Sequence, residues 1–271
     1  MNALPYTAAT WRLLISAETD GATNMAKDEA ILRAVGRGLV PPTLRLYAWA
    51  PPCLSLGRGQ SGAEVDQAAC SRDGVDVVRR PTGGRAILHT DELTYSVIAP
   101  IGEPRLAGDI ISSYRRLSLA LLAGLKQLKV NAEAREMERA TSNVNPVCFE
   151  VPSHYELTTD DGRKLVGSAQ MRTSDAVLQH GTLPLVGDVA RICQYLVDAP
   201  PQERVRARAT TVEQALGRPV SWDDAAQAMI GGFRSALNLT FERGRLMPEE
   251  QEWLVDLRSE KYASDEWTWR V

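Results

Sequence analysis

Apolar residues recur at helical spacing in two stretches of the chain. Within residues 24–37, Met25 and Val35 fall on one helical face, and Asn24 precedes them as a candidate N-cap. Residues 109–128 carry a longer run with the same period. Both stretches therefore predict helices.

Shorter runs of alternating or β-branched residues are typical of strands. These runs occupy 43–49, 53–56, 75–78, 86–89, 93–99, 147–159, 163–173 and 177–185. A short helix is expected over 64–71, and the glycine pair Gly83-Gly84 must form a turn between two strands.

Turn and capping residues mark the later part of the chain. Asp161-Gly162 predicts a type I′ hairpin turn, because this pair tolerates the positive φ angles that the turn requires. The chain beyond residue 185 is predicted to be helical, with Ser221 as a capping residue and Pro248 starting the last helix.

These elements predict an α+β fold in which mixed and antiparallel sheets are flanked by helices. No repeat, low-complexity tract or linker divides the chain, so residues 1–271 are expected to form a single domain.

Composition narrows the class of protein. The net charge of -3 argues against a surface that grips nucleic acid as a whole. Local basic groups remain at Arg79-Arg80-Arg85 and at Arg115-Arg116. An acidic partner or an anionic ligand could bind there, or these arginines could simply be solvated side chains without a partner. The start of the chain lacks a signal-peptide pattern, and no apolar run is long enough to span a bilayer, which predicts a cytoplasmic protein without membrane contact.

The four cysteines are far apart in sequence. They form no C-x-x-C pair and have no histidine at metal-ligand spacing, so neither a zinc site nor a disulfide framework is indicated. A cysteine with a chemical role must act alone.

Three segments carry candidate chemistry. The first is V-V-R-R-P-T-G-G-R-A-I-L-H (77–89), where adjacent glycines would let backbone N–H groups approach a ligand, although the same pair can be only a turn. The second is C-F-E-V-P-S-H-Y-E-L (148–157), and the third is G-R-K-L-V-G-S-A-Q-M-R (162–172), which leads to L-Q-H-G-T-L (178–183). By default, a cysteine in an apolar run is a buried small hydrophobe and a lysine after a turn is a solvated charge.

Taken together, these segments resemble the lipoate-protein ligase and octanoyltransferase group, which shares the biotin/lipoate protein ligase catalytic fold. The resemblance covers most of the chain. The further matching blocks are M-A-K-D-E-A (25–30), L-R-L-Y-A-W (44–49), S-L-G-R-G-Q (55–60), E-L-T-Y-S (92–96), G-S-A-Q (167–170), H-G-T-L (180–183) and S-D-E-W (264–267).

Three features favour the cysteine-dependent octanoyltransferase branch of this family. Arg85 stands where ligases usually have a third loop glycine, and the chain ends soon after S-D-E-W, which leaves no room for the accessory domain of typical ligases. Cys148 lies in C-F-x-x-P-S-x-Y-E-L, which resembles the block that holds the acyl-thioester cysteine of that branch. The resemblance therefore implies acyl transfer without ATP, metal or any other cofactor.

The resemblance also implies the site and the partners. Cys148 and Lys164 are the expected catalytic residues. The expected substrate-binding residues are Arg79, Arg80, Thr82, Gly83, Gly84, His89, Gly167, Ser168, Ala169 and His180. The expected donor is octanoyl acyl carrier protein, and the expected acceptor is the glycine cleavage H protein or another lipoyl domain.

The predicted hairpin sets a geometric condition on this site. In an ideal hairpin, Cys148 lies about eleven residues beyond the position opposite Lys164, which is more than about 30 Å of extended strand. The segment between them must therefore fold back over the site. An ATP-dependent ligase whose accessory domain is a separate chain, a lipoyl amidotransferase and a non-catalytic binding protein remain alternatives.

Overall fold

The computed structural model describes residues 6–136, 147 and 155–270. Its strands are β1 Ala9–Ile15, β2 Thr43–Tyr47, β3 Cys53–Leu56, β4 Asp76–Arg79, β5 Ile87–His89, β6 Glu92–Pro100, β7 Ala132–Glu136, β8 Tyr155–Thr159, β9 Lys164–Arg172, β10 Ala176–Pro184 and β11 Leu239–Arg243. Its helices are α1 Gly21–Gly36, α2 Gln67–Asp73, α3 Ile110–Gln127, α4 Gln202–Arg208, α5 Val212–Leu216, α6 Trp222–Leu237, α7 Pro248–Leu257 and α8 Asp265–Thr268.

The strands form two sheets. The larger has eight strands in the order β11-β1-β2-β6-β10-β9-β8-β7, and the smaller has the order β4-β3-β5. In the larger sheet β1 runs parallel to β2 and to β11, whereas every other neighbouring pair is antiparallel. The predicted α+β fold with mixed and antiparallel sheets is confirmed.

Helices cover both faces of the larger sheet. On one face α3 and α6 pack over apolar side chains that alternate along the strands, and the ring of Tyr95 lies 6.1 Å from that of Phe233 in α6. On the opposite face α1 lies across β6 and β10. The residues of β6 that point to α1 include Thr94 and Ser96, both buried, so this face carries polar groups in the interior.

Helix α1 begins earlier than predicted. Its N-cap is Asp20, whose Oδ1 accepts a hydrogen bond of 2.9 Å from the Thr23 N–H. The predicted cap, Asn24, is a buried residue of the first turn, and its side-chain amide donates to the carbonyl oxygens of Thr19 and Ala48. The start of α3 is as predicted, with Asp109 accepting from the Ser112 N–H.

Two other boundaries differ from the predictions. The helix expected over 64–71 is divided into a 3₁₀ turn, Gly62–Glu64, and α2. The prediction of helix throughout the C-terminal part is wrong at β11, which extends the sheet beside β1. The capping role of Ser221 and the start of α7 at Pro248 are confirmed.

The hairpin between β8 and β9 forms, but its turn is not type I′. Only Gly162 has a positive φ, +83°, whereas a type I′ turn needs positive φ at both central residues. Instead, Gly162 N–H donates to Thr159 O and Thr159 N–H donates to Arg163 O, which makes a three-residue loop. Of the strand predicted over 147–159, β8 covers the last five residues, and Val147 forms a separate bridge with Ala86.

No helix of the described residues is long and apolar enough to cross a membrane. The fold brings the Gly83-Gly84 loop, which joins β4 to β5, beside the middle of β9 and β10, where several candidate residues lie.

Candidate active site

A small pocket lies between α1, the Gly83-Gly84 loop and the central strands of the larger sheet. Its wall is formed by Met25, Tyr47, Trp49, Arg80, Ile87, His89, Thr94, Gly167, Ser168, Ala169, His180, Gly181 and Thr182. Six of the predicted substrate-binding residues are in this wall, namely Arg80, His89, Gly167, Ser168, Ala169 and His180. A narrow and largely apolar pocket suits a hydrocarbon chain, since each buried methylene contributes about 0.8 kcal/mol.

His180 connects the pocket to a buried carboxylate. Its Nδ1 lies 3.4 Å from Asp28 Oδ2, and its Nε2 lies 2.7 Å from Thr82 Oγ1. An ionised carboxylate only accepts hydrogen bonds, so Nδ1 carries the proton and the Thr82 hydroxyl donates to Nε2. The chain Asp28–His180–Thr82 thereby fixes the orientation of the imidazole and of the loop threonine.

The Asp28 carboxylate also receives three further donors from the sheet. Arg45 Nη1 donates to Oδ1 over 2.6 Å, Tyr47 Oη donates to Oδ2 over 3.0 Å, and Ser96 Oγ lies 2.8 Å from both oxygens. Burial opposes ionisation of Asp28, but the Arg45 charge and the hydrogen bonds from His180 and Arg45 outweigh it and lower its pKa to about 2. Burial lowers the pKa of His180, and Asp28 offsets this only in part. His180 is therefore neutral at neutral pH.

His89 is held in a second, similar chain. Its Nδ1 lies 2.6 Å from Glu92 Oε1, and its Nε2 lies 2.6 Å from Ser55 Oγ. Arg80 Nη1 donates to the same Ser55 Oγ over 2.7 Å. The imidazole also stacks on Trp49, with ring centroids 4.0 Å apart. Each histidine is thus fixed by a carboxylate on one ring nitrogen and a hydroxyl on the other.

Glu92 extends the His89 chain along the sheet. Its carboxylate accepts from the hydroxyls of Thr94 and Thr182, and Thr94 accepts in turn from Trp49 Nε1 over 2.8 Å. Thr94 and Thr182 are paired across β6 and β10, one position from the pair Ser96 and His180 on the same face. The two hydrogen-bonded chains therefore lie side by side on the polar floor of the pocket.

The Gly83-Gly84 loop is held from below by Arg80. Its Nη2 donates to the carbonyl oxygens of Gly83 and Arg85 at 3.1 and 3.0 Å. Gly84 has a φ of +92°, which disfavours any other residue, whereas a Cβ at Gly83 would meet no described atom within 4 Å. The loop is thus fixed by its backbone, and no described side chain covers it at Gly83.

Arg79 has different surroundings from Arg80. It is fully buried, and its guanidinium donates to five backbone carbonyl oxygens, those of Gly57, Arg58, Gln60, Trp267 and Thr268. It is not among the residues of the pocket wall. The structure therefore places Arg79 as a clamp between two backbone segments.

Lys164 is buried at the start of β9, and its Nζ lies 2.8 Å from Glu156 Oε1. A register shift between β8 and β9 follows, with Thr158 opposite Lys164 but Leu157 opposite Val166. Without the shift, Lys164 would share the α3 face with Val166. Because Leu165 is the extra residue of this shift, Lys164 lies with Glu156 on the face that carries the pocket. Lys164 is three residues before Gly167 in β9.

Cys148 lies outside the described residues. Val147, which precedes it in sequence, is fully buried and pairs with Ala86 immediately after the Gly83-Gly84 loop. Among the described cysteines, burial raises the pKa of Cys53 well above its ordinary value and that of Cys70 to about 11. Both thiols are therefore protonated and poorly nucleophilic at neutral pH.

Sequence reasoning missed the buried acids Asp28 and Glu92 as members of the site. A signal for Asp28 was present, because it falls between Met25 and Leu32 on the apolar face of α1, where an unpaired carboxylate would be costly. Glu92 has no such signal, since its partners come from β5, β6 and β10.

The fold is that of a lipoate-protein ligase catalytic domain. A putative lipoate protein ligase from T. acidophilum with bound lipoic acid superposes with a TM-score of 0.81 at 25% identity, over 97% of this chain and 100% of that chain. A lipoate-protein ligase A bound with ATP superposes with a TM-score of 0.81 at 26% identity, over 96% of this chain and 99% of that chain.

Sequence comparison defines the family. The profile of the lipoyl protein ligase A/B catalytic domain matches residues 20–234, and the chain belongs to this family. Octanoyltransferase LipM of Exiguobacterium sp. is 42% identical, over 97% of this chain and 99% of the relative. Octanoyltransferase LipM of Symbiobacterium thermophilum is 45% identical, over 96% and 98%. These relatives confirm the predicted resemblance and the predicted enzyme class, an acyltransferase.

The Asp28 network predicts a specific dependence of stability on pH. Because the pKa of Asp28 is lowered in the folded state to about 2, its contribution is complete above the unfolded pKa and is lost as the pH falls towards 2. This contribution is about 2 to 3 kcal/mol. We expect Asp28→Asn to lower the free energy of unfolding at pH 7 by about 3 to 5 kcal/mol, since Arg45 then keeps an uncompensated buried charge.

Urea unfolding at pH 7 and at pH 3 measures both effects. The loss of stability between the two pH values should be smaller in Asp28→Asn than in the wild type. The exposed loop variant Asp160→Asn serves as the control and should behave like the wild type. Equal pH dependence in Asp28→Asn and the wild type would contradict the assigned role of the carboxylate.

Proposed function

We propose that this protein transfers an octanoyl group from acyl carrier protein to a lysine of a lipoyl domain, such as the glycine cleavage H protein, through a thioester on Cys148. The observation that carries the proposal is the apolar pocket, which adjoins the Gly83-Gly84 loop in a chain about 40% identical to octanoyltransferases along nearly its whole length. The pocket would hold the acyl chain, and the loop would border its carbonyl end.

The position of Val147 supports the role of Cys148. Val147 bridges Ala86, three residues after Gly83, so the segment that leads to Cys148 reaches the loop at the carbonyl end of the pocket. This position of Val147 agrees with the fold-back that the hairpin geometry requires. The raised pKa values of Cys53 and Cys70 argue against those thiols as the nucleophile.

The reaction divides into two balanced steps. The Cys148 thiolate attacks the donor thioester carbonyl, and the carrier thiolate leaves and takes a proton. The acceptor lysine amine then attacks the new thioester, loses its proton, and expels the Cys148 thiolate as the amide forms. A thioester is exchanged for a more stable amide, so the transfer needs no ATP.

Lys164 fits the role of stabilising charge in both steps. Its ammonium lies on the pocket face, beside Glu156, and is largely shielded from water. In such surroundings a cation interacts strongly with a nearby thiolate and with the oxyanion of a tetrahedral intermediate. We therefore assign to Lys164 both the lowering of the Cys148 pKa and the support of the acyl carbonyl.

The remaining predicted residues have supporting roles in this proposal. Gly167, Ser168 and Ala169 line the acyl chain, and Ser168 Oγ is held 2.7 Å from Tyr95 Oη, away from the chain. His180 and His89 are orienting groups, each held by a carboxylate, and they fix the hydroxyls of Thr82 and Ser55. Arg79 binds the backbone of Gly57 and Gln60, and this segment lies against the Gly83-Gly84 loop, so Arg79 supports the loop indirectly.

The first experiment follows the mass of the purified acceptor. We expect octanoylation with octanoyl acyl carrier protein alone, without ATP or Mg²⁺, and none on an acceptor whose target lysine is replaced by arginine. A parallel reaction contains free octanoate or lipoate with ATP. This second arm is needed because one structural neighbour is a lipoate-protein ligase bound with ATP.

Each result separates the candidate functions. Modification only in the ATP-containing reaction would make the protein a ligase. Modification only when the donor is an octanoylated lipoyl domain would make it an amidotransferase.

The role of Lys164 predicts a change in the reactivity of Cys148. Removing the ammonium in Lys164→Met should raise the pH at which Cys148 is half alkylated, toward the value of about 8.5 for a free thiol. Lys164→Arg should retain part of the effect. The neighbouring variant Arg163→Met, whose side chain pairs with Asp161 at the surface, is the matched control and should not change the profile.

The pH profile of iodoacetamide labelling, read by peptide mass, measures this change. If the profile is unchanged in Lys164→Met but shifts to higher pH in Arg163→Met, the assignment of this role to Lys164 is wrong.

A further inference from the structure

Two arginines lie outside the pocket, next to the Gly83-Gly84 loop. Arg58 follows β3, is exposed, and its backbone N–H donates to Thr82 O over 2.8 Å. The guanidinium of Arg270 stacks on Trp267, 3.6 Å from the ring centroid. Neither arginine forms an ion pair with a carboxylate of the described residues. Within the part of the chain that the structure describes, no carboxylate therefore competes with an anion for either guanidinium.

Arg79 holds the two arginine-bearing segments together. Its Nη1 donates to the carbonyl oxygens of Gly57 and Gln60 at 2.8 and 2.6 Å, and its Nη2 donates to that of Thr268 at 2.8 Å. Trp267 Nε1 donates in return to Arg79 O over 2.9 Å. One buried guanidinium therefore binds the backbone of both segments. This holds Arg58 and Arg270 at the same edge of the site, and the surface that contains these two arginines is called the rim below.

The charges in this rim are close enough to affect one another. Burial lowers the pKa of Arg270, and the neighbouring Arg58 charge lowers it further. Burial likewise lowers the pKa of Arg79, with a second contribution from Arg270. Such a concentration of positive charge attracts anions to the rim.

The surface between the two loops has room for a ligand. A Cβ added at Gly59 or at Gly83 would meet no described atom within 4 Å, so the described residues leave space above both backbones. At Gly57, in contrast, a Cβ would lie 1.9 Å from Gly84 O, so the loops touch there. The open space thus begins where the loops separate, beside Thr82.

We propose that Arg58 and Arg270 bind a phosphate group, and that this phosphate belongs to the pantetheine arm of the acyl donor. The source of the phosphate rests on the proposed function. A planar guanidinium matches the oxygens of a phosphate and binds it by charge-assisted hydrogen bonds. A nucleotide offers the same phosphate chemistry, and the experiment includes it as a competitor.

The position of the rim agrees with the shape of such a donor. Thr82 links the rim to the pocket, because its hydroxyl binds His180 in the pocket wall and its carbonyl binds the backbone of Arg58. In an acyl-pantetheine, a flexible arm with two amide groups separates the thioester from the phosphate. The acyl chain in the pocket would therefore leave the phosphate outside it, on the side of the loop where Arg58 and Arg270 lie.

Calorimetric titration tests the subsite without turnover. The ligands are 4′-phosphopantetheine, pantetheine and AMP, and the proteins are the wild type, Arg58→Met and Arg270→Met. We expect 4′-phosphopantetheine to bind the wild type about tenfold or more tightly than pantetheine, and each variant to lose about tenfold for the phosphorylated ligand only. Arg72→Met, on the exposed surface of α2 where it removes an ion pair with Asp73, is the control and should match the wild type.

Equal binding of pantetheine and 4′-phosphopantetheine to the wild type would overturn the subsite. Tighter binding of AMP, with the same loss in both variants, would overturn its assignment to the pantetheine arm. Acylation rates with octanoyl-pantetheine and its 4′-phosphate separate this proposal from the proposed function. If neither thioester acylates the protein but the phosphate still strengthens binding, the transfer mechanism fails and the phosphate subsite stands.

Discussion

The Asp28 carboxylate is buried beneath the centre of the larger sheet, where it joins α1 to three neighbouring strands. Its partners are Arg45 from β2, Ser96 from β6 and His180 from β10. A buried charge is tolerated only when its hydrogen bonds are complete, so each partner constrains the others. The position of α1, the order of the central strands and the orientation of His180 thus depend on one another.

This constraint explains how a polar network can underlie an apolar pocket. The carboxylates of Asp28 and Glu92 accept the donors of the sheet face, so that His180, His89 and the threonines have their polar atoms satisfied below the pocket. What remains for the acyl chain is mainly carbon and the backbone of β9. The rim has the opposite character, because positive groups there are not neutralised by carboxylates of the described residues. Arg79 binds backbone carbonyl oxygens, and Arg58 and Arg270 have no acidic partner in the same part of the chain. This division between an apolar pocket and a positively charged rim is the basis of the proposal that the two regions hold the two ends of an acyl thioester with an anionic arm.

Much of the fold could be predicted from local sequence pattern. Helix α3 follows periodicity, because its buried residues recur at helical spacing. Strands β3, β6 and β10 are buried at nearly every position, so they stand out as short runs bounded by turn residues rather than by alternation. The N-cap of α1 was misplaced because Asn24 looks like a cap but is needed as a buried donor to Ala48. Strand β11 was missed because, in the part of the chain that the structure describes, its strand partner is β1, more than 200 residues away, and a local sequence pattern cannot reveal that pairing.

The site could be predicted in its motifs but not in its connections. The glycine loop, His180 and the residues of β9 stand out as short blocks, whereas Asp28 and Glu92 act through partners from distant elements. The connections of Arg79 and Arg80 also could not be predicted from the sequence. The two residues are adjacent, but successive side chains in extended backbone point in opposite directions, so they have different surroundings. Arg80 enters the pocket wall and Arg79 clamps the rim, a distinction that only the fold provides.

The most direct test of the central claim is the mass of the protein after incubation with octanoyl acyl carrier protein in the absence of ATP. The account predicts one added octanoyl group that hydroxylamine removes, that maps to the peptide containing Cys148, and that is absent from a Cys148→Ser variant. An adduct on Cys53, Cys70 or Cys193, or full transfer activity in Cys148→Ser, would contradict the account.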